Sequence, residues 1–374
     1  MGLRYERRPG RAESLAALTS SVRPLGALLI GLVVGAAACG DDPLGAGSPA
    51  RPDRLLVGSG FTDQVFVIAA ADGQLLDSVA LNPRREEADE PHGLAVSPDG
   101  NHWYATVAHG EASLWKFQAA DDRRVGLVKL PTPGAARVGI TPSGRRAFIP
   151  DYWRGGMGQT SQVAVVDLTS MEVLAAPEVC AAPHDARVSS AGDLVAITCS
   201  LSDELILMDT QTLDVVQRIP AGPSPGPAGS PVYKPLNVVW STDDARVFVT
   251  NHLEAAVRTF TRDGVAEARI EVGPGPAQLE MSKDGGTLVT ANRGEGTASI
   301  IDVQSLTERA RVDLGGAHPH GVTLDPQGST AFVTFEGEVG TAGGVVALDL
   351  NEAVVLWRRE AGSFTLGVVF LPAT

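Results

Sequence analysis

The chain has 374 residues, 44% hydrophobic and only 5% aromatic, with 42 Gly, 25 Pro and a formal net charge of −14 at pH 7. That acidity, with no basic cluster beyond the N-terminal leader, excludes nucleic acid and anionic lipid surfaces as partners recognised by charge. The length admits a large core or more than one domain, and the Gly and Pro content favours many short strands joined by turns.

Residues 1–38 read as a targeting segment: Arg4, Arg7, Arg8, Arg11 and Arg23 precede "LGALLIGLVVGAAA" (25–38), which runs apolar directly into Cys39. That run is shorter than the roughly 20 residues an ordinary membrane span needs, and it suits a signal-peptide core. Small residues leading into a single Cys resemble the lipobox of bacterial lipoproteins, with Ala36 where Leu is more usual. The resemblance implies cleavage before Cys39 and lipidation of Cys39. It also implies residence in the cell envelope, periplasmic or on the outer surface, touching membrane only through the lipid. Residues 39–53 form a Gly/Pro/Asp tether of the flexible kind.

From residue 54 onward the chain repeats. "PHGLAVSPDG" starts at 91, "AARVGITPSG" at 135, "PHDARVSSAG" at 183, "PLNVVWSTDD" at 235, "PAQLEMSKDG" at 276 and "PHGVTLDPQG" at 319. Each of these A pieces is followed by three more strand-like runs, B, C and D. Examples are "VFVTN" (247–251) for B, "LILMD" (205–209) for C and "RARVDLGG" (309–316) for D. Short β-branched runs between Pro-Asp-Gly turns carry the strand signature, and a four-stranded unit of 40–50 residues has the length of a propeller blade. Residues 54–82 supply B, C and D without an A, and "TLGVVFLPAT" (365–374) supplies an A alone. The expected fold is therefore all-β: a seven-bladed β-propeller over 54–374 with four-stranded blades, the first closed by the C-terminal strand.

The sequence here resembles the YVTN family of seven-bladed propeller repeat proteins, through "SPDG" (97–100), "VFVTN" (247–251), "VVDLTS" (165–170) and "LMDTQTLDVVQRIPAG" (207–222). The resemblance implies architecture; one such fold hosts many functions, so chemistry has to come from the site.

Strand A lines the channel, and its start shares a face with the B-to-C turns. The second position of A reads His92, Ala136, His184, Leu236, Ala277, His320 and Leu366; the B-to-C turns add His109, Asp151, His252, Arg293 and Glu336. Five of the seven His fall in these two rings. His92, His184 and His320 are candidate ligands for a divalent transition metal such as Cu²⁺ or Zn²⁺, because imidazole suits such ions. His109, His252, Arg293, Tyr152, Trp153 and Arg154 complete the candidate ligand-binding mouth, with Tyr233 and Lys234 projecting from the long loop 221–234. No HExxH, CxxC, P-loop or dinucleotide fingerprint is present, and "GPSPG" (222–226) sits in a Pro-rich loop rather than a nucleophile elbow. No catalytic residue is assigned.

Two readings follow: a monomeric binding or scaffold protein for a protein, wall polymer or small ligand, or a metal-dependent, lactonase-like or redox enzyme at the same mouth. Cys180 and Cys199 reach the same face from neighbouring blades, and an exported chain leaves a disulfide between them open.

Overall fold

The computed structural model describes residues 51–82, 89–131, 133–152, 158–338 and 340–374. The leader, Cys39, Trp153 and Arg154 lie outside the described residues. Residues from 51 on form seven antiparallel sheets and, among the described residues, no helix. The first blade joins the two ends of the chain: Thr365–Leu371 pairs with Arg54–Ser59 in the order A-B-C-D expected of a closed ring.

The seven innermost strands are Thr365–Leu371 in blade 1, Pro91–Val96 in blade 2, Gly139–Ile140 in blade 3 and Pro183–Val188 in blade 4. Pro235–Trp240, Pro276–Met281 and Pro319–Leu324 follow in blades 5, 6 and 7. Seven apolar clusters hold them, and each cluster draws on two adjacent blades. Between blades 1 and 2, for example, Leu56, Val67 and Leu371 meet Leu94, Trp103 and Phe117. Each such side chain contributes about 1.5–3 kcal/mol on full burial, so the stabilising core is spread around the ring and the channel is left free for polar groups.

A threonine near the end of strand B ties neighbouring blades together. Thr106 accepts from the Gly93 N–H (2.7 Å) and donates to the Ala136 carbonyl of the next blade (2.8 Å). Thr198, Thr250 and Thr334 repeat this with Leu236, Ala277 and Leu366. The approach is so close that a Cβ on Gly93, Gly321 or Gly367 would collide with the carbonyl oxygen of Ala136, Leu366 or His92. This is the physical reason for glycine in the repeated Pro-His-Gly.

Local turn chemistry follows the repeat. At the A-to-B turn the Ser97 hydroxyl donates to Asp99 (2.6 Å) and accepts from the His102 N–H (2.9 Å), and Gly100 takes a left-handed φ of 73°. In blade 5 the same slot is Asp244, φ 56°, whose carboxylate accepts the Ser190 and Ala191 N–H groups of blade 4 at 2.8 Å. A specific interblade bond there offsets the strain of a non-glycine residue. The Asp closing strand C, as in Asp209, accepts two N–H groups of the following turn.

Blade 3 departs from the expected four regular strands. Its inner strand is reduced to Gly139–Ile140 plus a bridge between Ala135 and Asp151, and its outer strand is split into Glu172–Ala175 and Glu178–Ala181. Pro177 lies at the split, where a residue without an N–H interrupts an edge strand. The Cys180–Cys199 disulfide is formed, with Cα atoms 5.8 Å apart, and ties this irregular outer strand to strand B of blade 4.

Candidate functional site: the histidine mouth of the channel

The residue before strand A has a left-handed backbone in every blade: Glu90, Gly134, Ala182, Lys234, Gly275, His318 and Phe364, with φ between 51° and 94°. The chain reverses there to enter the channel wall. In blade 2 that slot carries a carboxylate, and the mouth is organised around it.

Glu90 is 9% exposed and accepts three side-chain hydrogen bonds. They come from His92 Nδ1 (2.9 Å), His109 Nε2 (3.1 Å) and the Tyr152 hydroxyl (3.0 Å). Burial works to raise the Glu90 pKa, but the bonds from His109 and His92 overcome it and hold the carboxyl below the usual carboxylate range. The same bond raises the pKa of His109. Burial pushes the Tyr152 phenol well above its ordinary value, so it stays a donor.

His92, His184 and His320 come from blades 2, 4 and 7, yet their rings meet. His92 stands 5.9 Å from His184 and 5.9 Å from His320 between centroids, in both cases edge to face, and Tyr152 lies 5.1 Å from His92 and 5.8 Å from His184. The other four blades carry Ala136, Leu236, Ala277 and Leu366 at this level, so the imidazoles are its polar groups. His184 Nδ1 donates to the Leu236 carbonyl (2.9 Å). Burial, assisted by His92, lowers the His184 pKa to about 4, and burial lowers that of His320 well below its usual value. Both rings are neutral near pH 7, with ring-nitrogen lone pairs as acceptors. His92 Nε2 and His320 Nδ1 are buried and have no hydrogen-bond partner.

The remaining arc is cationic and anionic. Arg293 makes two bonds to the buried carboxylate of Glu336, at 2.8 and 2.6 Å, which raise its own pKa. Burial and Lys234 lower the pKa of His252, whose Nδ1 lies 3.3 Å from the Pro276 carbonyl. Of the predicted site residues, His92, His109, Tyr152, His184 and His320 are thus brought together around Glu90. Among the described residues, however, no group of three or more His, Cys, Asp or Glu side chains is arranged to hold a metal ion. His92 spends Nδ1 on Glu90, and its ring packs edge to face against those of His184 and His320 as aromatic neighbours do.

Tyr233 is a correction. It is 7% exposed and forms the inside of the loop 221–234, with its hydroxyl accepting the Ser224 N–H (3.1 Å) and no room for a side chain at Gly222. Asp203 shapes that loop by accepting the N–H groups of Gly226, Val232, Tyr233 and Lys234. Tyr233 is therefore a structural residue rather than part of a recognition surface.

Solved structures share the fold. A functionally unknown protein from Desulfotomaculum acetoxidans superposes with a TM-score of 0.69 at 12% identity, covering 86% of this chain and 99% of its own. Kuenenia stuttgartiensis hydrazine synthase superposes with a TM-score of 0.64 at 16% identity, covering 79% of this chain and 94% of the matched chain. No protein-family model matches the sequence, and no curated protein is significantly similar to it. At such identities the likeness is one of fold, a seven-bladed propeller.

Sequence reasoning passed over Glu90, the residue on which the mouth is built. The signal was present: the position before each A strand is a turn slot, and in blade 2 it is an acid directly before Pro-His-Gly.

Proposed function

We propose that this chain is a YVTN-type propeller acting as a binding or scaffold module, with the histidine mouth as its recognition end. The observation that carries the reading is the pair of buried, unpartnered ring nitrogens, His92 Nε2 and His320 Nδ1, inside a neutral cluster braced on Glu90. Unsatisfied buried polar atoms are costly, of the order of 1–3 kcal/mol each, and a ligand that supplied donors to them would remove that cost. Neutral imidazoles accept hydrogen bonds, so the mouth suits a protein, wall polymer or small ligand that offers hydroxyl or amide N–H donors. The leader and Cys39 favour presentation at the cell envelope by a lipid anchor; Cys39→Ser should move the protein from the membrane to the soluble fraction, and retention after a carbonate wash would contradict the anchor.

Site-directed photo-crosslinking in whole cells tests the reading. A photoreactive residue at Lys234, on the mouth, should give discrete crosslinked species, whereas one at Asn101, on the opposite turn face, should give none. Equal yields from both ends, or none from Lys234, would refute it.

A second reading is a transition-metal site at His92, His184 and His320, used by a hydrolase or redox enzyme. It is favoured by the same two free nitrogens and requires His92 or His320 to turn out of ring contact. Elemental mass spectrometry of protein purified without an affinity tag separates the two. About one copper or zinc per chain, lost on changing the three histidines to alanine, supports the metal; a trace amount supports the plain binding module.

A further inference from the structure

The channel has a second chemical end, deeper than the histidines and open toward the A-to-B turns. A cavity of about 280 Å³ lies there. One wall, from blades 3, 4 and 6, carries Arg137, Arg187 and Glu280; the facing wall, largely from blades 1 and 2, is apolar and includes Val96, Val368 and Phe370.

The polar wall has more donors than acceptors. Asp185 is completely buried, and its oxygens are taken by Asn237 Nδ2 and the N–H groups of Ala186 and Val238. It therefore stands 3.7 Å from both guanidiniums, beyond hydrogen-bonding reach. Glu280 is left to serve two arginines, at 2.5 Å from Arg187 and 3.9 Å from Arg137. Arg137 Nη1 donates to Gln278 Oε1 (2.8 Å), which leaves the Gln278 amide nitrogen without a partner although the residue is only 2% exposed. Arg187 Nε is also buried and unpartnered. Unused donors from the two fork-shaped cations that line the cavity, facing an apolar wall, match one kind of ligand. Planar oxyanions take such donors in pairs, and an apolar tail would be buried by the opposite wall.

We propose that this cavity is a binding site for a small carboxylate carrying an apolar tail, separate from the histidine mouth. Glu280 occupies part of the carboxylate position when no ligand is present, as an internal competitor.

Saturation-transfer NMR on the full chain, with hexanoate, hexanol and hexylamine as probes, tests this. Hexanoate should bind and the two others should not compete with it. Arg187→Met should weaken hexanoate by about tenfold or more, and Glu280→Gln, which removes the competitor, should strengthen it. If Arg187→Met does not fold, the Glu280→Gln comparison carries the test alone. Absence of hexanoate binding at millimolar concentration, preference for hexylamine, equal binding of hexanol, or weakening by Glu280→Gln would each overturn the proposal.

Discussion

The two ends of the channel are built from the same strands and differ in how their charge is managed. At the histidine mouth a single carboxylate, Glu90, gathers two imidazoles and a phenol, while His184 and His320 remain neutral because burial disfavours their charged form. One to three residues further along the same strands, a buried guanidinium (Arg137) and a part-buried one (Arg187) stand beside two carboxylates, one of which is already consumed by amides. The first end responds to pH in the mildly acidic range. At the second, burial and Arg187 pull the Arg137 pKa down only to about 10, so its guanidinium stays charged. One ring can carry two such sites because the seven interblade clusters supply an apolar core that lies outside the channel.

The largest effect should come from breaking both ends at once. Strand Thr365–Leu371 contributes Leu366 to the mouth level and Phe370 to the cavity, and it alone closes blade 1. Deleting 365–374 removes an entire inner strand, so the loss should far exceed the roughly 1 kcal/mol of an ordinary substitution. A thermal melt should show no cooperative transition near that of the full chain.

Next comes the deep end alone. Asp185→Ala leaves Asn237, the buried Arg137 and the part-buried Arg187 without their carboxylate, and breaking a buried ionic network in this way costs about 3–5 kcal/mol. Glu280→Gln, on a partly exposed residue, should cost much less. Urea denaturation of the two variants measures the contrast.

The disulfide ties only the side of the ring around blades 3 and 4, next to His184. Closing a 19-residue separation contributes about 3 kcal/mol on the chain-entropy account. The Cys180→Ala, Cys199→Ala double variant should lower the melting temperature by several degrees while the hexanoate site at the other end keeps its affinity.

The smallest effect is that of Glu90→Gln, expected to cost about 1–2 kcal/mol through its weakened bonds to His92, His109 and Tyr152. It should also return the pKa of His109 toward its ordinary value. The sign of the pH dependence follows from the shifts. His184 and His320 have folded pKa values below their unfolded ones, so the unfolded chain binds more protons and stability falls as pH drops below about 6.5. For His184 alone the loss is at most about 2 kcal/mol at pH 5. His109 acts in the opposite sense: its raised pKa contributes stability at low pH that disappears as pH rises through its folded value.

The fold was legible because the Pro-Asp-Gly turns and alternating runs repeat with the period of a blade, and because an A piece missing at one end of the chain reappears at the other. The two histidine rings were legible for the same reason, since equivalent repeat positions fall on one face. What escaped was whatever depends on departures from the repeat. Pro177 splits one outer strand. Glu90 sits in a turn slot that is occupied elsewhere by Gly, Ala, Lys, His or Phe. Arg137, Asp185, Gln278 and Glu280 occupy inward-facing positions where blades 1, 2 and 7 have Gly or an uncharged residue, and only the ring's closure brings these four together. Threonine in strand B was visible as a recurring letter, but its bond to the next blade needs a neighbour that the sequence does not display.

The contrast between a neutral imidazole mouth and an ionic deep end is tested most directly by an NMR pH titration of the histidine Cε1–H resonances from pH 8 to 4. The expected result is a His184 midpoint near 4 and a His320 midpoint well below the usual histidine value near 6.5, while His109 titrates above that value. If His184 and His320 titrate near 6.5 like solvent-exposed imidazoles, the mouth is not the buried, neutral cluster described above.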